Sequence, residues 1–302
     1  MVKPVAESSM PWTEQPPRLD VCVVGTGRVG SVLGAALRRS GHKVIACTAV
    51  SEISRLRADS LLPGVPVLSI DNAVAQCDLV LLTIPDDALA DVVAGLATTK
   101  AISPGTFVMH TSGRYGIDIL EPLTEIGCLP LAVHPVMTFT GTSIDIDRLS
   151  DCPFGVTSPE VLRPAAQALV VEMGGEPVWV PQEMRLLYHA ALSFGANNIM
   201  TLVNETVGLL TQAQIEHPEQ LISQLFGASL DNALRLGDSA LTGPISRCDI
   251  GTIRAHLAML KEKSPRTVAS YVALGQLTVA RCLDAGILRT QQAGQILEVL
   301  SE

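Results

Sequence analysis

The chain has 302 residues and a formal net charge of -9 at pH 7, and 47% of its residues are hydrophobic while 17% are charged. The negative average field disfavours nucleic acid as the main partner. No apolar run approaches the roughly 20 residues of a membrane-spanning helix, so no membrane segment is expected. Seven cysteines without a CxxC spacing indicate reduced thiols, from which we expect a cytoplasmic location.

The first half of the chain alternates between strand and helix patterns. Residues 1–18 carry four prolines and no apolar signal-peptide core, so we expect a disordered tail. The predicted strands that follow are LDVCVV, KVIACT, VPVLS, DLVLLTIP, GTFVMH, CLPLAV, PFGVTS and EPVWVP. Because continuous apolar strands indicate burial on both faces, residues 19–181 are predicted to form an α/β domain with a doubly wound parallel sheet.

After residue 181 the strand signal stops and helical spacing takes over. The predicted helices cover about 182–213, 218–240, 250–263, 265–285 and 290–301. Breaks between them combine a helix-terminating residue with turn chemistry, as at Gly243-Pro244 and Ser264-Pro265. Residues 182–302 are therefore predicted to form an all-helical domain, and two domains are consistent with the length of the chain.

A glycine-rich turn follows the first predicted strand. Its residues, Gly25-Thr26-Gly27-Arg28-Val29-Gly30, open the first predicted helix. In such a turn the first glycine permits a tight bend, the second lets backbone approach a pyrophosphate, and the third permits close packing of helix on strand. The free N–H groups of the helix then favour the phosphates. This context predicts a Rossmann-type dinucleotide site.

The end of the second predicted strand favours NADPH over NADH. An NAD site usually places an acid there to bind the ribose 2′-hydroxyl, but here no acid occurs before Glu52. Ser51, Ser54, Arg55 and Arg57 follow, and they could instead receive a 2′-phosphate. The alternative is that these arginines are ordinary solvated helix residues.

Further polar residues follow two later strands, where open parallel sheets bind ligands. Thr83, Pro85 and Ser112 are predicted walls of the ribose-nicotinamide pocket. Asp86 could contact the cofactor or simply cap the next helix.

Three polar clusters are candidates for the substrate site, which we expect in an interdomain cleft. They are the loop at His134, the helix row His189, Ser193 and Asn197 at four-residue spacing, and the turn at Arg247. Reduction of a carbonyl or imine needs a proton donor and hydrogen-bond donors. We assign His189 as the acid, Asn197 as the orienting amide and Arg247 as the clamp for a substrate carboxylate.

Structural explanations for the same residues remain open. His134 and His189 could be hydrogen-bonded structural histidines, Asn197 a contact between helices, and Arg247 the partner of Asp249 in a turn. No cysteine has an obvious histidine partner near it in sequence, which makes a cysteine nucleophile less attractive, and no metal-ligand spacing is evident.

Taken together, the motifs GTGRVG, LLTIPDDAL, HTSG, HPVMTF, YHAALSFGANN and TGPISRCD resemble one group of proteins. This group is the Rossmann-like oxidoreductases with a C-terminal helical domain of formerly unknown function, relatives of 6-phosphogluconate dehydrogenase, pyrroline-5-carboxylate reductase and ketopantoate reductase. The resemblance spans residues 25–249. It implies NADPH-dependent reduction of a small-molecule substrate, a 2-oxo acid such as 2-dehydropantoate, by a homodimer. A cyclic imine is the alternative substrate.

The chain departs from this pattern at two positions. Related dehydrogenases carry a helix lysine three or four residues before an asparagine, where this chain has Ser193 and Phe194. Cys248 stands where glycine is expected. Either His189 supplies the proton, or the protein has another substrate or is a non-catalytic NADP-binding sensor.

Overall fold

The first part of the chain forms a seven-stranded sheet. The computed structural model describes residues 17–302, so the predicted disordered tail lies outside the described residues except for its last two positions. The strands are β1 (Asp20–Val24), β2 (Lys43–Thr48), β3 (Leu79–Leu82), β4 (Phe107–His110), β5 (Leu129–Pro135), β6 (Pro153–Thr157) and β7 (Glu176–Trp179).

Twelve α-helices are described, and most of the long ones follow the sheet. They are α1 (Arg28–Arg39), α2 (Glu52–Leu61), α3 (Ile70–Val74), α4 (Asp86–Thr99), α5 (Glu121–Thr124), α6 (Ile144–Arg148), α7 (Arg163–Glu172), α8 (Arg185–Gln212), α9 (Pro218–Leu236), α10 (Ile250–Lys263), α11 (Pro265–Asp284) and α12 (Thr290–Ser301). The predicted α/β region followed by helices is confirmed.

The strand order is β2-β1-β3-β4-β5-β6-β7. Strands β1 to β5 pair in parallel, whereas β6 runs antiparallel to β5 and parallel to β7. The predicted doubly wound parallel sheet is therefore confirmed, with β6 and β7 reversed at one edge, where such sheets often carry reversed strands. The order reverses beside β1, and the ends of β1 and β3 form the switch point at which such sheets bind ligands.

One predicted strand, VPVLS, is not a strand. Its contact with the sheet is a single bridge between Val67 and Cys47 of β2. Val67 and Leu68 remain 39% and 40% exposed, and Ser69 is already the N-cap of helix α3. A short apolar run that stays at the surface gains too little from burial to extend the sheet.

The sheet is buried on both faces, as predicted. Along β1, Val21 and Val23 pack with α1 and α7, while Cys22 and Val24 pack on the opposite face with α3 and α4. Because side chains alternate along a strand, a continuous apolar run supplies both faces. This packing holds the carboxyl ends of β1 and β3 in place.

The chain divides into two compact units, the first ending at Leu192 and the second spanning Ser193–Glu302. This division falls inside α8, later than the predicted limit between residues 181 and 182, so the predicted domain limits stay predictions. In the second unit, α10, α11 and α12 share a core that includes Ile253, Val279 and Ile296. Helix α9 buries little beyond Pro218 and Ile222.

Two further properties concern the described part as a whole. All seven cysteines are free thiols, and six of them are buried. Among residues 17–302, no helix has both the length and the apolar character needed to cross a membrane.

Candidate functional site

The glycine turn between β1 and α1 has the geometry that the sequence predicts. Gly25 has a φ of +97°, a backbone conformation that favours glycine. A Cβ on Gly30 would lie 2.1 Å from Gly25 O and 2.2 Å from Thr83 Oγ1, so the helix packs on the turn without room for a side chain. A Cβ on Gly27 would meet no protein atom within 4 Å. The turn is therefore closed at Gly30 and open at Gly27.

Hydrogen bonds from two neighbouring strands hold this turn. Gly25 N donates to Thr48 Oγ1 over 3.0 Å, and Thr83 Oγ1 donates to Gly25 O over 2.6 Å. The buried Thr26 hydroxyl donates to Thr48 O and to Ser54 O. The Thr26 side chain therefore connects the turn to the end of β2 and to α2, and it does not line the open side at Gly27. Thr26 was predicted to contact the cofactor.

A cavity of about 420 Å³ lies at the switch point. It is lined by Gly27, Arg28, Val29, Thr83, Ile84, Pro85, Asp86, Thr111 and Ser112. The structure thus brings together six of the residues predicted to contact the cofactor, from three separate segments. Helix α1 has no acidic residue in its first turn, so no carboxylate of that turn competes with an anion for the N–H donors at its N-terminus.

The segment after β2 uses its serines to begin α2. Ser51 accepts a hydrogen bond from Ser54 N, and the Ser54 hydroxyl accepts one from Ser51 N, which makes a reciprocal cap. Arg55 is exposed, whereas Arg57 is half-buried. The Ser51 hydroxyl is thus hydrogen-bonded within the protein. A phosphate could still bind to N–H groups at this end of α2.

A cluster of aromatic and basic side chains lies beside the loop that follows β4. The Tyr188 hydroxyl and His134 Nδ1 share a hydrogen bond of 2.9 Å. The rings of His134 and His189 meet edge to face with centroids 5.8 Å apart. A Cβ on Gly113 would lie 2.5 Å from His189 Cδ2 and 3.0 Å from His134 Nε2, so both rings press on this glycine. Gly113 directly follows Ser112, which lines the cavity.

Two buried side chains, His110 and Arg185, hold the loop beside this cluster. His110 Nε2 donates to Gly116 O, and its Nδ1 accepts from Ser112 N, so both ring nitrogens are used by the neutral form. The guanidinium of Arg185, 1% exposed, donates to Tyr115 O, Gly155 O and Ser112 O. One side chain thus connects the loop after β4 to strand β6.

Burial sets the charge state of the histidines. It lowers the pKa of His110 to about 4, with the Gly116 hydrogen bond opposing the shift and Arg185 adding to it. Burial, then the charge of Arg185 and the neighbouring His189, lowers the pKa of His134 to about 4. Burial also raises the pKa of Tyr188. His110 and His134 are therefore neutral at pH 7, and Tyr188 keeps its proton.

The remaining candidates lie in the second unit. Ser193 and Asn197 continue along α8 after His189, and Arg247 is exposed in the segment before α10. Asp249 caps α10 by accepting from Thr252 N and Thr252 Oγ1, and it makes no ion pair with Arg247. Arg247 therefore has no ion pair with Asp249 within 4.0 Å, although its charge contributes to lowering the pKa of Asp249 after the hydrogen bonds from Thr252. Their roles in binding stay predictions.

Sequence reasoning missed Arg185, Tyr188 and His110. Each acts through contacts with residues 30 to 73 positions away, apart from the local bonds of His110. One signal was present, because Arg185 lies four residues before His189 on the predicted helix and therefore on the same side.

Similarity to known proteins agrees with this architecture. Residues 1–135 match the Rossmann-like domain, and residues 152–278 match a domain of unknown function, DUF2520. The chain thus joins a Rossmann-like domain to a C-terminal DUF2520 domain, which confirms the predicted resemblance. No curated protein matches the chain significantly.

Several solved structures share the fold at low sequence identity. A candidate NADP oxidoreductase from Bacteroides fragilis has a TM-score of 0.73 at 20% identity, over 86% of this chain and 98% of that one. A Thermotoga maritima protein has a TM-score of 0.64 at 19% identity, over 88% and 99%. The 1-pyrroline-5-carboxylate reductase of Streptococcus pyogenes has a TM-score of 0.57 at 15% identity, over 93% and 99%. At these identities the similarity is one of fold.

Proposed function

We propose that this protein is an NADPH-dependent oxidoreductase that reduces a small carbonyl or imine compound. The observation that carries the proposal is the open backbone at Gly27, above the N-terminus of α1 and inside the switch-point cavity. The NADP oxidoreductase named among the structures of the same fold supports it. A cytoplasmic location remains a prediction.

The residues around the cavity fit a nicotinamide dinucleotide. The N–H groups at Gly27, Arg28 and Val29 would bind the pyrophosphate, since α1 offers its positive end there. Thr83, Pro85 and Ser112 would border the nicotinamide ribose. The bound cofactor would supply the hydride for reduction.

His189 is the proton donor in this proposal. It is half-buried, and no hydrogen-bond partner for its ring is found within the described range. Through Gly113 it adjoins the loop whose Thr111 and Ser112 line the cavity. His134 is neutral and engaged by Tyr188, so it is better suited to orient the His189 ring than to give up a proton.

The substrate that we propose is a 2-oxo acid, with 2-dehydropantoate as the leading candidate. Arg247 would bind the carboxylate, because a guanidinium matches it with two parallel hydrogen bonds. Asn197 and Ser193 would orient the carbonyl oxygen. A cyclic imine is the second candidate, favoured by the fold shared with the Streptococcus pyogenes reductase over 93% of this chain. A sensor that binds NADPH without turnover is the non-enzymatic alternative.

The proposal is tested by following NADPH oxidation with a panel of 2-oxo acids, including 2-dehydropantoate, and of cyclic imines. We expect turnover of one class, and the His189→Gln variant should lower kcat by roughly 100-fold or more. His217→Gln is the matched control, since His217 is exposed outside the cavity. NADPH binding without turnover of any compound would favour the sensor.

We also propose that the protein is a homodimer joined through its helical unit. Every residue from Gly227 to Leu236 in α9 is exposed, including Leu230, Leu234 and Leu236. An uncovered helix of this length is marginal in water, and its leucines gain free energy when covered. A second copy of the chain is the occupant that we propose.

A further inference from the structure

Helix α8 begins by packing two ring side chains onto glycines of the first unit. Gly155 of β6 stands opposite His134 of β5 in the antiparallel pair. A Cβ on Gly155 would overlap the Tyr188 hydroxyl oxygen, and a Cβ on Gly113 would lie 2.5 Å from His189 Cδ2. Glycine at these two positions leaves the room that the rings need, and it lets the Tyr188 hydroxyl reach the end of β5.

The hydrogen bond between Tyr188 and His134 determines which ring nitrogen of His134 carries the proton. Tyr188 Oη and His134 Nδ1 lie 2.9 Å apart. Burial raises the pKa of Tyr188, so the phenol keeps its proton at pH 7. A phenol O–H is a more acidic donor than a neutral imidazole N–H, and an imidazole nitrogen is a more basic acceptor than a phenol oxygen. Tyr188 therefore donates to Nδ1, and neutral His134 carries its proton on Nε2.

The Nε2 atom of His134 lies on the side of the loop that follows β4. A Cβ on Gly113 would lie 3.0 Å from it, and the His134 ring meets the His189 ring edge to face with centroids 5.8 Å apart. Among residues 17–302, no acceptor for this nitrogen is found, since the hydrogen bond of the ring is the one at Nδ1. Gly113 directly follows Ser112, which lines the switch-point cavity. His134 therefore presents an unused N–H donor beside the loop that borders this cavity.

The titratable and charged groups around His134 favour its neutral form. Burial, then the charge of Arg185 and the neighbouring His189, lowers the pKa of His134 to about 4. The guanidinium of Arg185 is held in place because it donates to Gly155 O over 3.0 Å. His110 of β4 is also neutral, and the protein already uses both of its ring nitrogens. A neutral imidazole can donate a hydrogen bond at pH 7 without releasing its proton.

We propose that Tyr188 is a positioning residue that fixes His134 as a hydrogen-bond donor, through Nε2–H, to the oxygen of a carbonyl substrate. The inference rests on the proposed function and selects between its two substrate classes. Negative charge develops on a carbonyl oxygen as hydride reaches the carbon, so a fixed N–H beside the oxygen stabilises the transition state. The oxygen takes its proton from His189, while His134 keeps its own.

A cyclic imine makes the opposite demand on this position. It accepts hydride as an iminium ion, whose nitrogen already carries its proton and needs an acceptor. His134 with its proton on Nε2 offers a donor there. The tautomer that Tyr188 fixes therefore matches a 2-oxo acid and not an iminium ion.

The tautomer can be measured without substrate or cofactor. Long-range ¹H–¹⁵N NMR distinguishes a protonated ring nitrogen from an unprotonated one, and the His134→Gln variant assigns the signals. In the wild-type protein at pH 7 we expect the proton of His134 on Nε2. Tyr188→Phe keeps the ring and removes the hydroxyl, so His134 should become a mixture of both tautomers.

Tyr271→Phe is the matched control. The Tyr271 hydroxyl lies 3.1 Å from Nδ1 of His256, and the two rings meet edge to face, but this pair belongs to the second unit. The same hydroxyl is removed from the same type of pair. The His134 signals should be unchanged in this variant.

Turnover provides a second readout. In Tyr188→Phe, kcat for the 2-oxo acid should fall by roughly 10-fold, because one hydrogen bond loses its fixed geometry. KM should change by less than about 2-fold, since the charge on the oxygen develops only in the transition state. His134→Gln should retain more activity than His134→Ala, because a glutamine amide can still donate near the position of Nε2–H.

The outcomes separate the inference from the proposed function. A proton on Nδ1 of His134 in the wild-type protein would overturn the inference even if NADPH oxidation is observed, and this result needs no variant to fold. An unchanged tautomer in folded Tyr188→Phe would overturn the role of Tyr188. Turnover of cyclic imines but of no 2-oxo acid would overturn the substrate class and leave the NADPH proposal intact. A protein that has the expected tautomer but binds no NADPH would contradict the proposed function instead.

Discussion

Gly27 and Gly30 lie three residues apart in one turn and have opposite surroundings. Gly30 faces protein atoms at 2.1 and 2.2 Å from the position of a Cβ, while Gly27 faces open space. Gly30 therefore serves packing, and Gly27 leaves room for a ligand. The two roles can be separated by experiment because the residue change is the same at both positions.

Alanine at the two glycines should have different effects. Gly30→Ala should lower the free energy of unfolding by about 1–3 kcal/mol or more, because Gly25 O is backbone and cannot move aside. Gly27→Ala should change it by less than about 0.5 kcal/mol, yet weaken NADPH binding. Urea unfolding and fluorescence titration measure the two effects. Equal loss of stability in both variants would contradict this account of the turn.

The roles of Gly27 and Gly30 could be predicted from sequence. They depend on residues of the same turn and on the end of β3, a strand that the apolar pattern predicts. Arg185 could not be assigned in this way. Its partners, Tyr115 O and Gly155 O, lie 70 and 30 residues away, and no local pattern indicates them. Thr26 and Ser51 were predicted to contact the cofactor, and within the protein their hydroxyls bond to backbone groups of Ser54.

At the scale of elements, the ends of β4 and β5 carry two neutral histidines, of which His110 is buried and His134 is half-buried. His110 and His134 have pKa values lowered from 6.5 to about 4. In the unfolded chain both would take up protons near pH 6.5. Between pH 6.5 and about 4 the unfolded chain therefore binds protons at these two histidines, whereas the folded protein does not. The free energy of unfolding depends on pH for this reason.

Lowering the pH below about 6.5 should reduce the free energy of unfolding at pH values where most carboxylates are still charged. The free energy of unfolding should be constant with respect to these groups above about pH 6.5 and fall from there to about pH 4, by at most roughly 1.4 kcal/mol per pH unit for each histidine. His134→Gln should reduce this slope, and the control His217→Gln should keep it. Urea unfolding followed by the fluorescence of Trp179 measures it. An unchanged slope in His134→Gln would show that His134 is not the source.

The predicted strands were correct where an apolar run is buried in the sheet, and wrong where the run stays at the surface. The strands β1 to β5 were all predicted, as was the attachment of β6 and β7 to the sheet. The segment VPVLS is also mostly apolar, but it lies at the surface and contacts the sheet through one bridge. The direction of β6 could not be predicted, because the apolar pattern of a strand does not specify its direction.

At the scale of the whole molecule, the exposed leucines of α9 form an apolar surface of the second unit. Leu234 is 79% exposed and Leu230 is 49% exposed on a helix segment with no buried residue. If a second copy covers this helix, a charge placed there should separate the copies.

Sedimentation equilibrium tests the dimer. The wild-type protein should have twice the chain mass of 31.9 kDa. Leu234→Asp should shift it toward the monomer, while Val161→Asp, at an 82% exposed valine of the first unit, should leave the dimer intact. A wild-type mass of one chain would contradict the proposed partner.

The central claim is that the glycine turn and the acid-free end of β2 form an NADPH site. Parallel equilibrium titrations of the wild-type protein with NADPH and with NADH test it most directly. We predict saturable binding of both and a lower Kd for NADPH, because Arg55 and Arg57 follow β2 where an NAD site usually carries an acid. NADH binding as tightly as NADPH would contradict the claim.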